Sequence, residues 1–85
     1  MPHEVRFAAS AAREFRKLPT SVQQRLRPAI DALADEPRPP GARKLVGQDA
    51  LYRIRVSDYR VVYEVSDVAL TVLVVRVRHR SEAYG

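Results

Sequence analysis

Arginines recur at every second position within strand-like segments of the C-terminal half of the chain. In the segment 51–56, Arg53 and Arg55 alternate with apolar residues, so a β-strand there would carry both guanidinium groups on one face. A guanidinium group presents several N–H donors in a planar fork that matches the oxygens of a phosphate. The spacing therefore points to the binding of a phosphate-containing ligand on the polar face of a sheet.

Ser57 and Asp58 interrupt this alternation and predict a two-residue turn between two strands. A hairpin closed about that turn would place Arg55 directly opposite Arg60. Like charges opposite each other destabilise a sheet by about 0.2–1 kcal/mol unless an anion lies between them. A lone arginine on an open sheet face is ordinarily a solvated residue, but an opposed pair favours anion binding. The same register gives three further pairs on the apolar face, which are Val56 with Tyr59, Ile54 with Val61 and Tyr52 with Tyr63.

The composition favours a single basic domain without cysteine. The chain has 85 residues, enough for one domain over 1–85, and its 15 Lys and Arg against 10 Asp and Glu give a net charge of +5. Polyanions such as nucleic acid or an acidic protein segment are the expected partners. The absence of cysteine excludes disulfides and thiolate metal sites and favours the reducing cytoplasm. No signal pattern opens the chain, and the longest apolar run, 68–75, is too short to span a membrane.

The N-terminal half predicts a short strand followed by a helical hairpin. Alternation over 3–7 indicates the strand, and apolar residues at helical spacing indicate a first helix that Pro19 ends. An apolar stripe predicts a second helix from Thr20 to about residue 34, begun by a capping box between Thr20 and Gln23.

Prolines limit the helical region, and the last strand follows it. Pro28 removes one backbone N–H donor inside the second helix and should kink it. The segment 35–41 contains three prolines and no periodicity, which predicts a stiff connector. After the hairpin, a Val-rich run from residue 70 to about 78 predicts a central strand that is apolar on both faces until Arg76.

The sequence leaves open which face the last three arginines take. Arg76, Arg78 and Arg80 alternate at the end of the last strand, as Arg53 and Arg55 do earlier in the chain. A loop of odd length before this strand would place both sets on one side of the sheet, whereas a two-residue loop would separate them.

Three ordered segments resemble the RelE/ParE superfamily of bacterial toxins. They are LYRIRV at 51–56, DYRVVYE at 58–64 and VRHRSEAY at 77–84, preceded by KLVG at 44–47. The resemblance spans nearly the whole chain. It implies an α+β fold in which an N-terminal strand and a helical hairpin pack on a small, antiparallel-dominated, four-stranded sheet.

The resemblance implies a RelE-type, ribosome-dependent endonuclease that cleaves messenger RNA in the ribosomal A site. In that reaction the 2′-hydroxyl attacks the adjacent phosphate and leaves a 2′,3′-cyclic phosphate and a 5′-hydroxyl, without a metal ion or other cofactor. The implied partners are messenger RNA on the ribosome, ribosomal RNA, and an antitoxin protein that neutralises the toxin in a heteromeric complex.

The resemblance also assigns residues to this chemistry. The expected catalytic residues are Arg60, Arg80 and Tyr84, and the expected RNA-binding residues are Arg53, Arg55, Lys44 and Arg78. Several members carry lysine where this chain has Arg53 and Arg55, and a lysine there is a candidate general base. Arginine stays protonated at neutral pH, so it supplies charge but almost never a free base. We therefore expect the proton acceptor to be His79, because imidazole has an ordinary pKa near neutrality, or else the ribosome's own RNA.

Two other functions stay open. A ParE-like toxin would inhibit DNA gyrase by protein contact on the same fold, although Arg80 and Tyr84 favour a nuclease. An inactive homologue would use its basic face only to bind an antitoxin or RNA, and the missing lysines are consistent with that. In every case the amphipathic helices and an exposed sheet edge offer sites for an acidic antitoxin segment.

Overall fold

The computed structural model describes residues 2–47 and 50–81, which form two helices and a five-stranded sheet. The elements in chain order are β1 (Glu4–Phe7), α1 (Ala9–Arg16), α2 (Thr20–Asp31), a 3₁₀ turn (Ala32–Ala34), β2 (Arg43–Lys44), β3 (Leu51–Val56), β4 (Tyr59–Ser66) and β5 (Thr71–His79). The strand order is β1-β5-β4-β3-β2, with β1 parallel to β5 and the other neighbours antiparallel. This architecture confirms the predicted α+β class.

The sheet has one strand more than the four predicted. The additional strand, β2, contains only Arg43 and Lys44, which pair with Arg53 and Tyr52 of β3. Two residues are too few to show an alternating pattern in a sequence. The strand forms because the chain leaving the connector lies against the edge of β3, so pairing rather than local propensity defines it.

The two helices and the sheet share one hydrophobic core. Its buried residues are Ala11, Phe15, Leu26, Ile30, Leu33, Ile54, Val61, Tyr63, Val65, Val72, Val74 and Val77. The helical hairpin breaks at Pro19 as predicted, and α2 continues through Pro28 to Asp31, where the 3₁₀ turn extends it. A kink at Pro28 stays a prediction. In the described part of the chain, no helix is both long and apolar enough to cross a membrane.

The start of α2 differs from the predicted capping box. The N-cap residue is Pro19, and no side-chain hydrogen bond caps the helix. Thr20 is already the first helical residue, so its hydroxyl does not occupy the position from which an N-cap side chain accepts an amide N–H. Gln23 turns back instead and donates its side-chain amide to the carbonyls of Leu18 at 2.8 Å and Arg16 at 3.3 Å. That contact joins the two helices.

The hairpin of β3 and β4 has the predicted turn and register. Arg55 lies opposite Arg60 and Val56 lies opposite Tyr59, and the other predicted pairs are also present. Ser57, the first turn residue, has a φ of 56°. A positive φ at this position gives a two-residue turn the twist that matches the flanking strands.

The loop between β4 and β5 has an even number of residues. Ser66 pairs with Thr71, which leaves four residues, 67–70, in the loop. If the ladder were regular beyond it, Arg76 and Arg78 would point to the apolar side of the sheet, because parity alternates with each residue.

A β-bulge reverses that outcome. The register shifts between Val62 and Tyr63, which leaves Val75 of β5 without an opposite residue. Beyond this point Arg78 lies opposite Arg60. The arginines of β3, β4 and β5 therefore share one face, through a bulge rather than through the odd-length loop that the sequence analysis considered.

Candidate nucleic-acid interface

Three arginines from separate segments line one open cavity, here called the arginine cavity, at one end of the sheet. Arg55 and Arg60 face each other across the hairpin, and Arg80 follows the end of β5. The Arg80 backbone N–H donates to the carbonyl of Asp58 at 2.7 Å, which holds the end of β5 against the hairpin turn. The cavity has a volume of about 460 Å³, and the rest of its described lining is Ser57, Asp58, Tyr59 and Ser81.

The arginine cavity carries an excess of positive charge. Its described lining contains three guanidinium groups and one carboxylate, that of Asp58. Asp58 Oδ1 lies 3.9 Å from Nε of Arg80, and both side chains are more than 60% exposed, so this ion pair contributes at most about 1 kcal/mol. Such a cavity can bind an oxyanion and stabilise negative charge that develops on it.

A smaller depression adjoins the arginine cavity. It has a volume of about 290 Å³, and its charged residues are Arg43, Arg53 and Arg55, the last of which also lines the arginine cavity. Lys44, the RNA-binding candidate on the same short strand, pairs with Tyr52 and so lies on the other side of the sheet. Arg43 was not among the predicted site residues, because the parity of a two-residue strand cannot be determined from sequence.

Arg78 lies opposite Arg60 but is bonded to another partner. Its Nε donates to Glu14 Oε2 at 2.9 Å, and the backbone N–H of Val77 donates to Glu14 Oε1 at 3.0 Å. The pairing of β1 with β5 ends at Val74, so the Glu14 carboxylate occupies the edge of β5 beyond it. Arg78 therefore belongs to a contact between α1 and β5 and is absent from the described lining of the arginine cavity.

His79 pairs with Tyr59 on the apolar side of the sheet. The two rings meet edge to face, with centroids 5.2 Å apart. Nδ1 of His79 accepts a hydrogen bond from the backbone N–H of Ser81 at 3.2 Å and lies 2.8 Å from Ser81 Oγ. His79 thus contacts a residue of the cavity lining without being part of the described lining itself. The remaining catalytic candidate, Tyr84, lies outside the described residues.

A second polar cluster, the Arg38 cluster, lies at the other end of the sheet and consists of His3, Arg38, Tyr52 and Asp67. Arg38 donates to the Asp67 carboxylate at 2.9 and 3.4 Å and to the Tyr52 hydroxyl at 3.0 Å. Nε2 of His3 lies 3.1 Å from the same carboxylate. The hydrogen bonds to Asp67 and Tyr52 raise the pKa of Arg38, and those from Arg38 and His3 lower the pKa of Asp67.

Tyr63 anchors the connector beside this cluster. Its side chain is fully buried, and its hydroxyl donates to the carbonyl of Pro37 at 2.7 Å. Burial raises the pKa of Tyr63 to about 12. Its ring also stacks on that of Tyr52, with centroids 6.0 Å apart. The proline-rich connector is therefore fixed to the sheet through Tyr63 and Arg38.

Comparison with known proteins identifies the family to which this chain belongs. Residues 5–84 match the family described as the ParE toxin of type II toxin-antitoxin systems, parDE. The chain belongs to this toxin family. The superfamily resemblance of the three arginine-containing segments is thereby confirmed.

Within the family, the similar proteins include toxins named RelE or RelE-like. A putative RelE-like toxin protein from Escherichia coli is 38% identical, and the alignment covers 100% of this chain and 93% of the relative. The mRNA interferase toxin RelE of Escherichia coli strain K12 is 36% identical with the same coverage. The archaeal RelE-RelB complex from Pyrococcus horikoshii OT3 contains a chain that superposes with a TM-score of 0.82 at 28% identity, covering 94% of this chain and 97% of that one. The protein is therefore a RelE-type toxin of a toxin-antitoxin system.

Proposed function

We propose that this RelE-type toxin is a ribosome-dependent endonuclease that cleaves messenger RNA in the ribosomal A site. The observation that carries the proposal is the arginine cavity, where Arg55, Arg60 and Arg80 from three segments line one opening. A relative at 36% identity is named an mRNA interferase toxin, which supports RNA as the substrate class.

The proposed reaction is a phosphoryl transfer within the RNA chain. The 2′-oxygen forms a bond to the adjacent phosphorus while the bond from phosphorus to the 5′-oxygen breaks. The products are a 2′,3′-cyclic phosphate and, once the leaving oxygen has taken a proton from water, a 5′-hydroxyl. Negative charge builds on the two non-bridging oxygens as the phosphorus becomes five-coordinate, and Arg60 and Arg80 would donate hydrogen bonds to them. Removing one fixed donor of this kind typically lowers the rate by about 10²–10³. Arg55 would hold the RNA backbone in place, and the scheme requires no metal ion.

The 2′-hydroxyl proton needs an acceptor, and the arginines cannot supply one because they stay protonated. We assign this role to His79. The assignment requires the contact between His79 Nδ1 and Ser81 to open and the ring to turn toward the arginine cavity, because in the free chain that nitrogen accepts the Ser81 N–H and the ring packs against Tyr59 on the apolar side of the sheet. If single-turnover cleavage by His79→Ala equals that of the wild type while Arg80→Ala is inactive, the acceptor is instead supplied by ribosomal RNA.

We also propose that an antitoxin protein neutralises this toxin by direct binding. The Pyrococcus horikoshii relative was solved in a RelE-RelB complex. The net charge of +5 favours an acidic antitoxin segment that competes with RNA for the basic face. Co-expression with any small protein encoded beside the toxin should yield a complex that survives affinity purification, and recovery of the toxin alone would contradict this part of the proposal.

The test of the nuclease is primer extension on a defined messenger incubated with purified ribosomes and the toxin. Cuts should appear at fixed positions within the A-site codon, and they should be absent without ribosomes and with the Arg60→Ala, Arg80→Ala double variant. The matched control is the Arg13→Ala, Arg16→Ala double variant, which removes two exposed arginines from α1 and should keep the cuts. A 2′-deoxy nucleotide at the scissile position should abolish cleavage while binding is retained.

A gyrase inhibitor is the second candidate, because the matching family model is described as a ParE toxin. In that case the messenger would stay intact on ribosomes, and the protein would inhibit DNA supercoiling by purified gyrase. An intact messenger together with unaffected gyrase would identify an inactive homologue whose basic face serves only a partner.

A further inference from the structure

We propose that the depression beside the arginine cavity binds a second phosphate of the RNA, next to the scissile one, and that Arg43 is one of its contact residues. The inference rests on the proposed nuclease function. It extends the path of the RNA backbone from β4 across β3 to the short edge strand β2.

Two pairs of opposed arginines lie side by side on one face of the sheet. Arg55 lies opposite Arg60 across β3 and β4, and Arg53 lies opposite Arg43 across β3 and β2. Arg53 and Arg55 are two positions apart on β3, so the pairs are separated by about 7 Å along the strand. This separation is close to that between neighbouring phosphates of an extended RNA strand. The geometry therefore offers one pair of guanidinium groups for each of two successive phosphates.

The charges of the depression favour an anion as strongly as those of the arginine cavity. Its described lining consists of three arginines with Pro40, Gly41 and Ile54, and it includes no carboxylate. Arg43 lies opposite Arg53 as Arg55 lies opposite Arg60, so each pair places two positively charged side chains together on the sheet face. Arg43 is exposed and contributes nothing to the core. A phosphate bound in the depression could accept hydrogen bonds from more than one of these guanidinium groups.

The shared residue connects the two sites. Arg55 lines both the arginine cavity and the depression, so a ligand that fills one reaches the other without leaving the sheet face. The connector forms the far wall, where Gly41 has a φ of 91° and no atom lies within 4 Å of the position that a Cβ would take. This wall is made of backbone and proline, which leaves room for a ribose-phosphate chain. Since the arginine cavity holds the scissile phosphate in the proposed reaction, the adjoining group is the next phosphate.

A thermodynamic cycle between protein and RNA tests the assignment. Two modified messengers are prepared, each with one uncharged methylphosphonate. In one it replaces the phosphate on the 5′ side of the scissile phosphate, and in the other the phosphate on the 3′ side. Cleavage of both on ribosomes is then measured for the wild type and for Arg43→Ala. On unmodified messenger, Arg43→Ala should lower kcat/KM about tenfold, the effect of losing one charge-assisted hydrogen bond. One of the two modified messengers should slow the wild type by a similar factor and leave Arg43→Ala without further loss. Arg13→Ala, which removes an exposed arginine on α1, should respond to that messenger as the wild type does.

Three different results would contradict the second-phosphate site, and each has a different meaning. Equal slowing of wild type and Arg43→Ala by both modified messengers would overturn the second-phosphate site while the nuclease function stands. An Arg43→Ala variant that cleaves normally but binds the antitoxin more weakly would also overturn it and would assign the depression to an acidic protein segment. If the wild type fails to cleave even the unmodified messenger, the nuclease function and this inference fall together.

Discussion

The two ends of the sheet use arginine in opposite ways. In the Arg38 cluster one guanidinium group meets the carboxylate of Asp67 and the hydroxyl of Tyr52, and it lies 5.1 Å from the centre of the Tyr52 ring. In the arginine cavity three guanidinium groups lie together, and the described lining contains one carboxylate, that of Asp58, which lies 3.9 Å from Nε of Arg80. The first arrangement stabilises the connector. The second concentrates charge that an anionic ligand can neutralise, so the neighbours of an arginine, rather than the residue type, distinguish structural from functional roles.

Removing arginines from one end of the sheet should give the opposite phenotype to removing Arg38 from the other end. This is the largest effect expected. The Arg60→Ala, Arg80→Ala double variant should lose ribosome-dependent cleavage by at least about 10²–10³ because it lacks two donors to the developing charge. Its thermal midpoint should change little, because neither Arg60 nor Arg80 belongs to the hydrophobic core. Arg38→Ala should instead cleave normally but unfold about 4–8 °C lower, a loss near 1 kcal/mol. Single-turnover cleavage rates and thermal unfolding by calorimetry, measured on both variants, test this contrast between the two ends. Loss of cleavage by folded Arg38→Ala would refute the division between the two ends.

Removing the Glu14 carboxylate should have the next largest effect, and this effect is on stability. Glu14→Ala leaves the Val77 N–H without its carboxylate acceptor and removes the ion-pair partner of Arg78. The expected cost is about 1–3 kcal/mol of unfolding free energy. Urea denaturation measures it, and Glu14→Gln, which keeps an acceptor oxygen, should recover part of the loss. Equal stabilities of wild type and Glu14→Ala would show that water replaces the carboxylate at this edge.

Tyr63→Phe should destabilise the fold by about 1 kcal/mol at neutral pH, because the Pro37 carbonyl loses its donor. The variant should also change the alkaline response. The folded-state pKa of Tyr63, about 12, exceeds the ordinary value of 10.0, so its contribution is fully present below pH 10 and is lost as pH rises toward 12. Denaturation curves at several pH values should show a shallower alkaline decline for Tyr63→Phe. Parallel declines would contradict the raised pKa.

The smallest effect on stability is expected for a substitution of Arg55, which should change stability and activity in opposite directions. Arg55→Glu places an acid opposite Arg60 and should stabilise the hairpin by about 0.2–1 kcal/mol. The same change should weaken cleavage, because it removes a charge from the arginine cavity and adds an opposite one. Equilibrium unfolding and primer extension on the same preparation test both halves. A variant that is less stable than the wild type would show that repulsion between Arg55 and Arg60 is already relieved in the free protein.

Local patterns predicted much of the fold. The period-two alternation through 51–56 and the Ser57-Asp58 turn determined the register of β3 and β4, which in turn paired Arg55 with Arg60. The break between the helices at Pro19 and the Thr20 start of α2 followed from the missing N–H of proline and the apolar stripe. These features depend on neighbouring residues, so one sequence is enough to reveal them.

Features that depend on distant pairing could not be predicted in the same way. His3 and Asp67 are separated by 64 positions, and no short-range pattern links them. The bulge did leave a trace, because the buried valines of β5 are Val72, Val74 and then Val77, a step of two followed by a step of three. That step was obscured by Val75, an apolar residue on the other parity. The roles of Lys44 and His79 stay predictions, although parity places both on the side away from the arginines.

The extra residue at Val75 also affects how this gene can change in length. Val75 is the unpaired residue of the bulge, so its removal would give a regular ladder in which Val62 still lies opposite Arg76, Val61 opposite Val77 and Arg60 opposite Arg78, and the alternation of side chains would stay in phase. Substitutions at Val75 that keep the backbone would leave the phase intact. A single inherited deletion at Val75 should therefore be tolerated without moving an arginine to the other face, whereas one residue inserted among the paired residues 76–79 would turn the side chains beyond it to the opposite face.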